Sequence, residues 1–247
     1  MSWALKCKVR IAFPHPALLL DCGKRYLVVA DLHIGFERRF GVAMASNLEE
    51  MAEEINGLED ELGFDELVIL GDVKDSIRGV SGLERKWLRE FFGKLGVGGV
   101  IVPGNHDGGL GRVLPNGFTL ADRRGIRIGD TALVHGHTLP SLALSPSRRI
   151  VMGHVHPTYN REGSPLSGSP VWLVLKVERE AFFEGKGCLD VIVMPAFNRA
   201  LACWGYSPRR IKSSPMVGRL RKHLKDCWIV TLKGELIGRL DEFGYVI

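Results

Sequence analysis

Long apolar runs are missing from this chain of 247 residues. The longest are short pieces such as Ala17 to Leu20 and Tyr26 to Ala30, far below the ~20 residues that cross a bilayer. Met1 to Arg10 carries charge but neither the apolar stretch nor the cleavage site of a secretory signal. These absences predict a soluble, cytoplasmic protein that engages no membrane. Cysteine is scarce: Cys7, Cys22, Cys188, Cys203 and Cys227 are scattered, odd in number and never in a C-x-x-C pair. That pattern argues against a disulfide framework or a zinc knuckle and predicts reduced, mostly buried thiols. Acidic residues are absent from Ser207 to Lys225, where seven Lys or Arg are the local source of the net charge of +5. With 45% apolar and 25% charged residues the composition is that of a globular protein, which excludes collagen, coiled coil and disorder.

What is present is a series of apolar runs that each end in a polar cluster. Tyr26 to Ala30 leads into Asp31-Leu32-His33, Leu67 to Leu70 into Gly71-Asp72-Val73-Lys74-Asp75, and Val100 to Val102 into Gly104-Asn105-His106-Asp107. Ala132 to Val134 leads into His135-Gly136-His137, and Arg149 to Met152 into Gly153-His154-Val155-His156. Short continuous runs of this kind mark strands covered on both faces, and functional groups of α/β sheets gather at the carboxyl ends of their strands.

Between the first two runs, Ser46 and Glu49 form a capping-box pattern around Leu48, Met51, Ile55, Leu58 and Leu62 at helical spacing. Ser81 and Glu84 open a second helix carrying Leu83, Trp87, Leu88, Phe91, Phe92 and Leu95. Strand, helix, strand, helix, strand is the βαβ order of a layered α/β domain. Beyond a Gly/Ser/Pro-rich loop, Val171 to Val177, Leu189 to Met194 and Cys227 to Leu232 predict mainly antiparallel strands, with Lys233-Gly234 turning a hairpin into Glu235 to Leu240. The length suits a single domain over residues 1–247, its strands of 171–247 packed on the first sheet.

Six of the eight histidines fall in the polar clusters. Singly, each cluster reads as turn punctuation or a core histidine; five of them in order, each at a strand end, describe a metal centre. His, Asp and Asn without cysteine suit divalent manganese, iron, zinc or nickel. Two such ions side by side repel each other, so an anion must stand between them, and Asp72 is read as that shared carboxylate. Gly71, Gly104 and Gly153 would let the main chain pass close to the ions. His154 and His156 would point to the same side of an extended chain.

In order and content the clusters resemble the calcineurin-like metallophosphoesterase superfamily, whose motifs run D-x-H, G-D-x-x-D, G-N-H-[DE], H and G-H-x-H; the match spans a motif core of residues 26–157. The resemblance implies an α/β fold, a four-layer α/β/β/α sandwich of two mixed sheets flanked by helices. It implies that Asp31, His33, Asp72 and His156 bind one metal and Asp72, Asn105, His135 and His154 the other. His106 would stand beside the leaving group, oriented by Asp75. Two divalent ions follow as cofactors, manganese foremost, with iron, zinc, nickel or magnesium as alternatives. The runs Asp31-Leu32-His33-Ile34-Gly35-Phe36 and Met194-Pro195-Ala196-Phe197-Asn198 also resemble archaeal predicted phosphoesterases related to the bacterial ligase-associated DNA phosphodiesterase/endonuclease.

The first expectation is therefore a metal-dependent phosphodiesterase or nuclease that attacks its substrate, DNA or RNA among the candidates, with metal-activated water. A phosphomonoesterase acting on a small metabolite or phosphoprotein is the second. A non-catalytic nucleic-acid-binding or scaffold protein is the third, and the unbroken ligand set argues against it. His137, one position beyond a ligand, is expected to support the centre or touch substrate, and Asp107 to buttress it or merely close a turn. Arg209, Arg210 and Lys212, with Trp204 and Tyr206 ahead of them, fit a phosphate-backbone contact with an aromatic platform. The alternative for that segment is a solvated surface.

Overall fold

The computed structural model describes residues 5–40, 45–203 and 214–246. In the first sheet β1 (Lys8–Ile11), β2 (Leu18–Asp21) and β3 (Arg25–Ala30) are antiparallel neighbours; β4 (Glu66–Leu70), β5 (Gly99–Val102) and β6 (Phe118–Leu120) then follow β3 in parallel. The second sheet holds β7 (Ile126–Ile128), β8 (Thr131–Val134), β9 (Arg149–Met152), β10 (Thr158–Tyr159), β11 (Ser169–Glu178), β12 (Cys188–Val193), β13 (Leu224–Thr231) and β14 (Leu236–Gly238). Its order is β14-β13-β11-β12-β9-β8-β7, with β10 paired to β11. The five apolar runs that end in polar clusters are β3, β4, β5, β8 and β9.

Residue alternation along β3, β4 and β5 explains why these runs are continuously apolar. Leu27, Val29, Leu67, Ile69 and Ile101 face α1 (Ala45–Leu62) and α2 (Gly82–Lys94), packing with Leu48, Ile55, Leu58, Leu88 and Phe91. Val28, Ala30, Val68, Leu70 and Val102 point the other way and meet Leu133, Val151, Trp172, Ile192 and Met194 of the second sheet. The outer face of that sheet packs Leu173, Leu175 and Val193 with Met216, Val217 and Leu220. Three apolar interfaces make four layers, helix, sheet, sheet, helix, and each such buried side chain is worth about 1.5–3 kcal/mol. Ser81 caps α2 with the full reciprocal box to Glu84, about 1 kcal/mol of helix-end stabilisation. Leu83 of α2 is exposed, so the apolar face starts later than its spacing suggests. Helix α1 begins at Ala45, one residue ahead of the expected cap, and the Ser46 side chain lies outside the described residues.

The strands after residue 168 pair mainly antiparallel, with one parallel seat. β12 is antiparallel to β11 but parallel to β9, so it adds a sixth carboxyl strand end to the functional edge. The turn through residues 179–187 carries the chain back alongside β11 and sets β12 between it and β9. Part of the basic stretch is a helix, α4 (Pro215–His223), after the short helix α3 (Ala200–Cys203). Ser214 caps α4 and Pro215 opens it, while Met216, Val217 and Leu220 are buried beneath its cationic face. Arg219 donates to the Ala181 carbonyl and Lys225 pairs with Glu178 at 2.6 Å, so these two charges are engaged within the fold. Arg209, Arg210, Lys212, Trp204 and Tyr206 lie outside the described residues.

The expectation of reduced thiols needs correcting: Cys7 and Cys22 form a disulfide, their Cα atoms 4.5 Å apart. In the β1–β2 register Lys8 faces Asp21, which makes residues 7 and 22 the next facing pair, at the close spacing of a non-hydrogen-bonded antiparallel pair. Only the hairpin pairing reveals that proximity. Cys227 is a buried free thiol and Cys188 an exposed one. No helix among the described residues is long and apolar enough to cross a membrane.

Candidate metal centre

The polar clusters that follow β3, β4 and β5 meet those that follow β8 and β9. Their side chains form three overlapping groups: Asp31 with His33 and His156, His33 with Asp72 and His106, and Asp72 with His135 and His154. Within each group one ligand-type atom per residue lies within 4.8 Å of the others, and Asp72 belongs to two groups. Asn105 joins through Oδ1, 3.3 Å from Nε2 of His135. All seven residues expected to bind metal thus converge.

Local backbone makes this convergence possible. Asp31, His33, Asp72, His154 and His156 have φ of +59°, +42°, +48°, +69° and +47°, and they are the non-glycine residues with positive φ among those described. His154 and His156 are therefore not on extended chain. Left-handed turns splay them, so His156 joins Asp31 and His33 while His154 joins Asp72 and His135. Among non-glycine residues Asp and His enter this region comparatively readily. Glycine is compulsory where the clusters touch: a Cβ on Gly71 would come within 2.4 Å of the His135 ring, and one on Gly104 within 2.2 Å of Asp72 Oδ1.

Burial alone would raise the pKa of Asp31, but His156 and His135 outweigh it and hold the carboxyl below its ordinary value. Burial opposes ionisation of Asp72 too, and His135, His33 and His106 together keep its pKa well below ordinary. His135 Nδ1 donates to the Leu70 carbonyl at 2.8 Å, which aims Nε2 at Asp72 Oδ1, 3.4 Å away. Burial disfavours its proton, yet Asp72 and Asp31 raise the pKa to about 9. His154 moves the other way, to about 3, through burial and then the His135 charge. The same two causes take His137 to about 4; its ring is 5.2 Å from that of His135, and it belongs to none of the three groups. Asp31 Oδ1 and both ring nitrogens of His33 are buried without a hydrogen bond among the described residues. Asp31 Oδ1 and the His33 nitrogen Nε2, turned inward beside other oxygens and nitrogens, are lone-pair atoms that fit divalent ions.

Asp75 does hold His106, but through its main chain: its carbonyl accepts from Nδ1 of His106. Its carboxylate instead faces Nδ1 of His33 at 3.4 Å, the arrangement that orients a metal-binding imidazole. Asp107 accepts from Val73 N at 2.9 Å and Gly104 N at 2.7 Å, tying the loops after β4 and β5 together. Burial, then the Asp72 charge, raises its pKa. Sequence reasoning gave Asn198 no role. It is fully buried after β12, donates to the Leu32 carbonyl at 2.9 Å and to Glu37, and so braces the turn that carries Asp31 and His33. The signal was a buried-strand run closing on Pro-Ala-Phe-Asn. His15 pairs with Glu54 at 2.6 Å and belongs to none of the three groups.

The sequence model for Calcineurin-like phosphoesterase matches residues 24–194, well over half of the chain. The chain belongs to that family. A calcineurin-like phosphoesterase is a hydrolase of phosphate esters that uses divalent metals, and the His/Asp groups described above lie within the matched span. Among solved structures, nuclease MPE of Pseudomonas putida is 21% identical, with 82% of this chain and 92% of that one covered and a TM-score of 0.48. YfcE, a phosphoesterase from E. coli, is 16% identical, with 88% and 98% covered and a TM-score of 0.38. No curated protein matches in sequence.

Proposed function

We propose that this calcineurin-like phosphoesterase is a dinuclear phosphodiesterase whose substrates are nucleic acids or nucleotide-like diesters. The observation that carries the reading is the sharing of Asp72 between two His/Asp groups, since two neighbouring cations need an anion between them. Asp31, His33, Asp72 and His156 would hold one ion, and Asp72, Asn105, His135 and His154 the other; manganese suits this set of oxygens and imidazoles. When bound, the ions supply hydroxide at neutral pH and neutralise the phosphoryl oxygens.

The chain's own residues supply orientation and a proton. Asp72 Oδ1 accepts from the His106 main-chain N–H at 2.8 Å, so the shared carboxylate also fixes where His106 starts. With Nδ1 spent on the Asp75 carbonyl, the His106 ring turns Nε2 into the centre, 4.0 Å from Asp72 Oδ2, where a proton on that nitrogen can pass to the departing oxygen. The preference for diesters draws on the likeness of Asp31 to Phe36 and Met194 to Asn198 to the ligase-associated nuclease group, and on the basic stretch, of which Arg221 and Lys222 are exposed on α4.

His106→Ala, loaded with Mn²⁺, should keep its metal and lose roughly 10²- to 10⁴-fold in turnover of a phenyl phosphodiester, whose leaving oxygen needs the proton. If the purified wild-type protein with Mn²⁺ cleaves neither that diester nor single-stranded DNA or RNA, the diesterase reading fails. Faster turnover of the matching monoester would replace it with a phosphomonoesterase.

A further inference from the structure

Lys74 is the one lysine among the described residues that is buried, with no exposed surface. The function proposed above leaves it without a task. Its main chain is pinned: Ile34 N donates to the Val73 carbonyl at 2.9 Å and Asp75 N to the Ile34 carbonyl at 3.0 Å, which fixes where the side chain starts. From there the ammonium runs inward and donates to two main-chain carbonyls, those of Ser76 and His106. Both sit at meaningful places. The His106 carbonyl is part of the residue whose ring faces Asp72, and Ser76 follows Asp75, whose carbonyl takes the ring's Nδ1 proton.

We propose that Lys74 is a positioning residue for His106, its ammonium gripping both ends of the bracket on which the imidazole is slung. One end is the His106 main chain; the other is the 75–76 turn that supplies the Nδ1 acceptor. An ammonium suits this task because it offers several donors from a single atom, so one side chain satisfies two main-chain carbonyls on two different loops. Methionine would fill the same space and hold neither. The consequence of the proposal for catalysis rests on the reading of His106 as proton donor to the leaving group.

The test is Lys74→Met, with Lys74→Gln, which keeps an N–H donor, as the conservative variant and His106→Ala as reference. Manganese content, KM and kcat are measured on two phosphodiesters that differ only in leaving group, 4-nitrophenol or phenol. Lys74→Met is expected to keep its metal and its KM within about twofold. It should lose about 10- to 100-fold in kcat for the phenyl ester and under about threefold for the 4-nitrophenyl ester, with Lys74→Gln between it and wild type. On the zinc-loaded protein, the His106 Nδ1–H resonance, identified by its absence from His106→Ala, should exchange faster in Lys74→Met. If His106→Ala slows both esters equally, the proton-donor reading fails, and the resonance alone decides the role of Lys74. An unchanged resonance overturns the proposal. So do loss of metal in step with activity, equal slowing of both esters by Lys74→Met alone, or failure of both Lys74 variants to fold.

Discussion

The two sheets bring different chemistry to the cleft between them. From the strand ends of the first come Asp31, Asp72, Asp75 and Asp107, together with Asn105, His33 and His106; the second contributes imidazoles alone, His135, His137, His154 and His156. Across the seam His156 approaches Asp31 at 3.2 Å and His135 approaches Asp72 at 3.4 Å. These contacts tie the assembly of the centre to the seam at which the apolar faces of the two sheets pack. The carboxylates are shared and the imidazoles are separable. That asymmetry sets the order of the expected effects.

The largest belongs to Asp72. Asp72→Ala should empty both half-sites and abolish metal-dependent turnover, whereas His135→Ala should cost one ion and leave the half-site of Asp31, His33 and His156 loaded. Elemental analysis after dialysis counts the ions, and equal losses in the two variants would break the distinction between shared and separable ligands.

Smaller is the effect of Asp75→Ala. Because the carboxylate faces His33 while the carbonyl holds His106, this variant should weaken metal binding about 10- to 100-fold, as titration calorimetry would measure. His106 should keep its acceptor, so turnover at saturating metal should fall much less. A selective loss of turnover at full metal occupancy would mean that the carboxylate acts on His106 after all.

Smallest is a pH dependence of the metal-free fold. His135 has a folded pKa of about 9 against an ordinary 6.5, so its stabilising contribution is whole below about 6.5 and is lost as the pH rises through about 9. His154 at about 3 and His137 at about 4 do the opposite: below 6.5 the unfolded chain takes up protons that the folded one refuses, and stability falls with falling pH. In chelator, the melting temperature should therefore peak near pH 6.5, and His135→Asn should flatten the alkaline flank most and, by removing the charge that helps depress His154 and His137, soften the acid flank as well. A wild-type profile flat from pH 6.5 to 9 would remove His135 from the seam's charge balance.

Much of this was legible in residue order. Runs of Val, Ile and Leu covered on both faces announce strands without any partner being known, and Asp, His and Asn at their ends announce a metal. The parallel seat of β12, and with it the bracing role of Asn198, depends on which strands become neighbours, a long-range outcome no local pattern carries. The Cys7–Cys22 bond was hidden for the same reason. Helix α4 was masked by its charge: Ser214-Pro215 is a helix-start signal, but a surrounding density of Lys and Arg reads as surface. The division of Asp75 between carbonyl and carboxylate was out of reach because residue type says nothing about which of its oxygens is used.

The left-handed backbone at Asp31, His33, Asp72, His154 and His156 bears on how this protein would respond to engineering. Each such residue gives up about 1 kcal/mol or more that glycine would not. A directed-evolution campaign scored only on heat resistance would thus find its gains at His33 and His154, whose burial works against their charge, rather than at Asp31, Asp72 and His156, which are paired across the seam, and its winners would be robust and inert. Variant libraries of this fold are better selected in the presence of metal, where ion binding returns the deficit to the native residues and the gradient toward glycine reverses.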